Sequence, residues 1–166
     1  MISKPGFAAV AVITADCAPV AIWTSDGIVG VIHAGWRGLV AGVIEATVAA
    51  VRSRTDDPAS VRAVLGPCIG SCCYEFGTND LDAVAAIYGN GVRATTDRGS
   101  PALDLRAGVL SALQRSDAEF VNDLGSPGAP TEPACTACGS DWFSWRRNRD
   151  LGRQALIVQS GFGQIP

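Results

Sequence analysis

Short runs of Val, Ile and Ala, separated by brief polar breaks, dominate the first third of the chain. Residues 7–14, 19–23 and 28–32 have the nearly continuous apolar character of strands buried on both faces. Thr24-Ser25-Asp26-Gly27 carries the Asp-Gly signal of a tight hairpin, and Ala15-Asp16-Cys17-Ala18 forms a comparable turn before Pro19. The three runs therefore predict a meander of sequentially paired strands. The period then changes. Val40, Val43, Ile44, Thr47, Val48 and Val51 fall on one face of a helix beginning near Leu39, which Asp56-Asp57-Pro58 ends.

Residues 61–65 predict a further strand ending at Gly66-Pro67, and residues 80–88 a short helix with Leu81, Val84, Ala85 and Tyr88 on one side. Asp104 has the character of an N-cap for a second amphipathic helix bearing Leu105, Val109, Leu110 and Leu113. Residues 119–122 suit an edge strand, 125–133 a Pro- and Gly-rich surface loop, and 154–159 a last strand. Strands and helices interleave without strict βα alternation. That pattern predicts an α+β fold, a layered mixed β-sheet domain with flanking helices.

A length of 166 residues corresponds to one domain. Hydrophobic residues make up 48% and charged residues 17%, far from a disordered composition. Apolar stretches break within about ten residues, short of the roughly 18–20 that a membrane span needs. The net charge of −3 provides no global field for nucleic acid or anionic lipid, so neither is an expected partner. Six cysteines without a recognisable signal peptide suit reduced thiols in a cytoplasmic protein. The single histidine, His33, makes any imidazole chemistry a question about one residue.

In a meander, Cys17 and His33 emerge at the same sheet edge with one strand between them, about 9–10 Å apart along the backbone. A thiolate and an imidazole so placed suit a shared metal or a nucleophile–base pair. His33 opens His33-Ala-Gly-Trp-Arg-Gly38, where glycines, a helix start and the forked donor of Arg37 suit phosphate or carboxylate. Trp36 offers a stacking surface or simple packing. Cys135-Thr-Ala-Cys138 has zinc-knuckle spacing, but no second CxxC or CxxH pair completes four ligands. Cys68, Cys72 and Cys73, around Gly66-Pro-Cys-Ile-Gly70, are expected to pack in a turn, beside Tyr74 and Glu75, which suit a packed ring and a solvated carboxylate more than contact with a substrate. Arg146, Arg147, Arg149 and Arg153 make a local positive patch, either a solvated face or a second grip on an anion.

Taken in order, Thr14-Ala-Asp-Cys17-Ala-Pro19, His33-Ala-Gly-Trp-Arg-Gly38, Gly66-Pro-Cys-Ile-Gly70 with Tyr74-Glu75, Leu103-Asp-Leu105, and Cys135 followed by Phe143-Ser-Trp-Arg-Arg147 and Gly152-Arg153 resemble the signature of the YfiH family. The likeness runs from Pro5 to about Val158. That family was described as laccase-like, or multicopper polyphenol oxidase, and is now regarded as zinc-dependent purine nucleoside enzymes. The resemblance implies a single YfiH-like domain over 1–166, phosphorolysis of adenosine, inosine and methylthioadenosine, and adenosine deamination. It implies zinc held by two histidines and a cysteine, with Cys17 matching the cysteine and His33 the second histidine. The first histidine belongs, in the family, to a Gln-Val-His-Gly-like motif upstream of this segment. The domain is thus expected to be N-terminally incomplete, its third ligand replaced by water, Asp16 or another cysteine. Arg37 and the amides at Gly38 would hold phosphate, with Arg146 or Arg147 assisting.

Other functions compete. Cys17 and His33 without metal suit a hydrolase or amidase, including one that edits peptidoglycan precursors. Copper oxidation is disfavoured, because one histidine and one cysteine cannot assemble several copper centres. A non-catalytic purine- or phosphate-binding protein would keep the anion pocket without turnover. An exposed first strand suits pairing into a homodimer.

Overall fold

The computed structural model describes residues 1–3, 9–125 and 133–160. Its centre is a hairpin of β3 (Ala18–Trp23) and β4 (Val29–Ala34), in which every residue but Trp23 and His33 is buried. The turn closes as expected: Gly27 has φ +86°, and the Ile28 amide donates to Thr24 Oγ1 at 3.1 Å. Pro19 pairs with His33 and Trp23 with Val29. Because side chains alternate across a strand, Ala18, Val20 and Ile22 share one face with Ala34 and Ile32, while Pro19, Ala21 and Trp23 share the other with His33, Val31 and Val29.

Both faces are covered, which is why these runs read as continuously apolar. The sheet has the order β1-β4-β3-β5-β8, with β1 (Ile2–Ser3) and β8 (Glu119–Asp123) at its edges and β5 (Arg62–Leu65) antiparallel to β3 and parallel to β8. One face packs against the helices, in a core joining Val20, Ile22 and Ile32 to Leu39, Ile44, Val48, Leu105 and Val109. The other meets a separate ribbon of β2 (Ala9–Thr14) and β9 (Gln154–Gln159), through Val10, Val29 and Val31 with Trp23 and Val158 against them.

This arrangement corrects the meander. The first apolar run does not pair with β3; its described part joins the last strand, Thr14 opposite Gln154, in a second layer. A strand buried on one face pairs equally well by pattern with a sequence neighbour or with a segment near the far end of the chain, and only packing chooses.

The long helix is also corrected. It is two helices, α1 (Trp36–Val40) and α2 (Val43–Arg52), broken at Gly42 with φ +75°. The expected face of α2 is nonetheless buried through Ile44, Val48 and Val51. The helix α3 (Thr78–Tyr88) buries Leu81, Val84, Ala85 and Tyr88 as the pattern requires. Next, α4 (Leu105–Arg115) is capped by Asp104, whose Oδ1 accepts from the Ala107 amide at 2.8 Å. It buries Ala112 where the periodicity pointed to Leu110, because α4 comes so close to α1 that a Cβ on Gly108 would lie 2.6 Å from Leu39. The three-residue strands β6 (Arg93–Thr95) and β7 (Pro101–Leu103) pair as a small hairpin. With the four-residue α5 (Trp145–Asn148), they are too short to show periodicity. Of the expected surface loop, residues 126–132 lie outside the described residues. Among the described residues no helix is long and apolar enough to cross a membrane.

The break at Gly42 yields a test of sign. In a continuous helix, Gly42→Ala would stabilise by about 1 kcal/mol. At φ +75° the Cβ is strained, and the substitution is expected to destabilise by about 1–2 kcal/mol in urea unfolding.

Candidate functional site

Cys17 and His33 are closer than the meander implied, with no strand between them. Cys17 directly precedes β3, and His33 lies opposite Pro19 on β4, so the two are diagonal neighbours of one ladder, with Cβ atoms roughly 7 Å apart. His33 is exposed and Cys17 half-buried. A Cβ on Gly35 would fall 2.9 Å from the Cys17 sulfur, so that glycine makes the room in which the thiol lies against the end of β4. As a donor set the pair fits zinc in kind, thiolate and imidazole, but not in number. Among the described residues no third His, Cys or carboxylate gathers with them.

Asp16 is not a spare ligand. Its Oδ1 accepts from the Thr136 hydroxyl at 2.8 Å and its Oδ2 from the Arg146 amide at 2.7 Å, while its carbonyl accepts from the Ile69 amide at 2.9 Å. One residue thus binds three segments distant in sequence into the walls of the site. Its charge also acts on Cys17: burial first, and then the neighbouring carboxylate, push that thiol above its ordinary pKa. The free side chain is therefore protonated at neutral pH.

Tyr74 brings the cations in. Its pKa is pushed up to about 12, chiefly by burial; Cys17 and Asp16 raise it further, and Arg146 and Arg37 oppose them. The phenol stays protonated, a permanent donor among those four groups. The Arg146 guanidinium lies 5.1 Å from the Tyr74 ring and donates to the Glu75 carbonyl at 3.3 Å. Arg37 stacks 4.4 Å over Trp36 and has no ion pair among the described residues. Trp36 is committed to packing, its ring edge-on to Phe76 at 5.3 Å and its own face taken by Arg37.

Arg37 and Gly38 lie inside α1 rather than before it. Their first-turn amides have no intrahelical acceptor, but a five-residue helix contributes little dipole, so in this segment the guanidinium is the group best suited to an anion. A Cβ on Gly38 would meet Val43 and the His33 carbonyl at ordinary contact distances.

The Arg-rich patch divides. Arg147 binds Asp150 at 3.0 Å and the Trp142 carbonyl, Arg153 binds the carbonyls of Asp150 and Gly152, and Arg149 stacks on Trp145. Arg146 alone of the four reaches Tyr74 and Asp16. It also lines an adjoining cavity of about 680 Å³, with Cys72, Cys73, Glu75, Arg98 and Arg147. In sequence Tyr74 stands beside the Cys68–Cys73 turn, as packing or as a group within reach of a substrate; the fold half-buries it and sets it beside Arg146.

Two outcomes check this geometry. Asp16→Ala removes both acceptors, leaves the fully buried Thr136 hydroxyl and the Arg146 amide without their partner, and is expected to cost about 1–3 kcal/mol in urea unfolding. Iodoacetamide should alkylate Cys17 of metal-free protein slowly at neutral pH, its rate rising at higher pH than for an ordinary thiol. A plateau already reached at pH 7, followed by peptide mapping, would contradict the protonated assignment.

Residues 1–160 match the family described as multi-copper polyphenol oxidoreductase laccase. A Streptomyces coelicolor protein named purine nucleoside phosphorylase is 40% identical over 151 residues, covering 90% of this chain and 59% of that protein. A Xylella fastidiosa protein of the same name is 36% identical over 159 residues, covering 93% and 57%. The crystal structure of Neisseria meningitidis protein NMB0706 superposes with a TM-score of 0.76 at 34% identity, covering 92% of this chain and 61% of that one. The chain therefore spans somewhat more than half the length of these relatives. With its family match over residues 1–160 and its fold shared with the solved YfiH structures, this chain belongs to the multi-copper polyphenol oxidoreductase laccase family, the YfiH family.

Proposed function

We propose that this chain carries the nucleoside- and phosphate-binding edge of a purine nucleoside phosphorylase acting on adenosine, inosine and methylthioadenosine. The observation that carries the reading is the packed run from Arg37 on Trp36, through Phe76, to Tyr74 and Arg146, whose amide is held by Asp16 beside Cys17. The names of the relatives support the same activity. In phosphorolysis an oxygen of inorganic phosphate attacks the ribose C1′, and the purine leaves through N9 with its bonding electrons. Arg37 and Arg146 are suited to hold the phosphate dianion in place, with the Gly38 amide as a further donor. Tyr74, which keeps its proton, can donate to a substrate oxygen.

Cys17 and His33 are the residues that would hold zinc, a thiolate and an imidazole that by themselves make an incomplete set among the described residues. When bound, zinc would supply the Lewis acidity that adenosine deamination requires. A metal-free hydrolase draws no support from the site, because burial and Asp16 hold the Cys17 thiol protonated. Six unpaired cysteines suit a reducing, cytoplasmic setting.

The test is release of purine base from each nucleoside, assayed with and without phosphate. Base release should depend on phosphate, and Arg37→Ala should raise the phosphate KM roughly 10- to 100-fold, corresponding to about 1.5–3 kcal/mol for a hydrogen bond to a charged group. Tight nucleoside binding with neither base nor ammonia released would leave a binding protein in place of the enzyme.

A further inference from the structure

Four cysteines that sequence spacing left unconnected meet in the fold. Cys72 and Cys73 lie in a turn in which the amides of Cys73 and Tyr74 both donate to the Gly70 carbonyl at 3.0 Å. Cys135 and Cys138 lie in a second turn, with the Cys138 amide 3.4 Å from the Cys135 carbonyl. A short sheet-like pairing joins the two loops: the Cys68 amide donates to the Ala134 carbonyl, and the Thr136 amide to the Cys68 carbonyl at 3.0 Å. The missing half of the zinc knuckle is thus the adjacent pair Cys72-Cys73, which no CxxC pattern reveals.

The sulfurs converge closely. Cys138 lies 3.2 Å from Cys72 and 3.5 Å from Cys73, and all four sulfur atoms fall within 4.8 Å of one another. Gly70 permits the approach, since a Cβ there would sit 3.1 Å from both the Cys72 sulfur and the Cys135 Cβ. Its amide donates to the Cys135 sulfur at 3.1 Å, the kind of contact that supports a coordinating sulfur from outside.

We propose that Cys72, Cys73, Cys135 and Cys138 bind one zinc ion as a closed tetrathiolate site, separate from Cys17 and His33. Zinc–sulfur bonds of about 2.3 Å at tetrahedral angles place sulfurs about 3.8 Å apart, within the span observed. Four soft donors without an oxygen or imidazole select zinc over magnesium or calcium. An iron–sulfur cluster would place the sulfurs on different metal atoms and hence farther apart than they are. With all four positions taken by protein, the ion has no open place for substrate, and its role is structural. Cys72, Cys73 and Cys138 line one cavity with three cations, Arg98, Arg146 and Arg147, and two carboxylates, Glu75 and Asp97.

The ion would clamp the loop bearing Thr136, which holds Asp16, to the turn leading into Tyr74. The site stands on the thiols alone and does not depend on the purine nucleoside reading.

The test is elemental analysis of the chain, purified in reductant without chelator, together with the absorption spectrum after cobalt(II) replaces zinc. About one zinc per chain is expected, because Cys17 and His33 have no third ligand gathered with them among the described residues and two protein ligands hold the ion too weakly to survive purification. It should persist in Cys17→Ser and His33→Ala and fall to background in the Cys135→Ser/Cys138→Ser double variant. Should that variant fail to fold, the unaltered chain still decides, because cobalt in four thiolates gives intense tetrahedral and sulfur-to-metal bands. Zinc that is lost with Cys17 or His33 and kept without Cys135 and Cys138 would overturn the assignment. So would cobalt bands lacking thiolate character, or metal-free protein in which non-reducing mass spectrometry finds a disulfide among the four.

Discussion

The walls of the site depend on one carboxylate. Asp16 lies where the chain crosses from the β2–β9 ribbon into the central sheet, and its two oxygens and its carbonyl take hydrogen bonds from Arg146, Thr136 and Ile69. Those partners belong to α5, to the Cys135 loop and to the Gly66–Gly70 loop, none of which has enough secondary structure to hold itself in place. A charged acceptor receiving a backbone amide and a fully buried hydroxyl is the strong kind of hydrogen bond, and leaving either donor unpaired is costly. Burial first, and the same negative charge second, raise the pKa of the neighbouring Cys17 thiol.

The second constraint is burial of the β3–β4 hairpin on both faces. Helices cover one side and the ribbon the other, so the only places where this hairpin can present polar chemistry are its ends. Cys17, His33 and Arg37 all lie at the end beside Asp16, where the ribbon gives way and α1 begins. The cations at that end are held by neighbouring side chains and backbone: Arg37 is braced by Trp36, and Arg146 by Tyr74 and the Glu75 carbonyl.

Much of the fold was legible in advance because its signals are local. The Asp-Gly turn, the Asp104 cap, the buried face of α3 and the strand at 154–159 each depend on residues a few positions apart, and each stands where periodicity placed it. The ordered motifs likewise pointed to the family that the comparisons show. What periodicity could not decide was partnership. The first apolar run was assigned to its sequence neighbour, yet it pairs with the last strand, since alternation specifies a face and not a partner. The helix after His33 looked continuous because its apolar positions stay in phase across Gly42, whose positive φ leaves no trace in that pattern.

By itself the sequence determined the residue types available for chemistry: one imidazole, six thiols, and a glycine-bracketed arginine after a buried strand. It also determined the α+β class, through short apolar runs and single-faced helices. Tertiary structure alone decided which of these groups meet. It placed Cys17 beside His33 without an intervening strand, assigned Asp16 to positioning, left Arg146 as the member of its patch that reaches Tyr74 and Asp16, and gathered Cys72 and Cys73 with Cys135 and Cys138. The reason is physical: local hydrogen bonding and periodicity act over a few residues, whereas a site joining loops more than 60 positions apart exists only once the core has packed and brought them together.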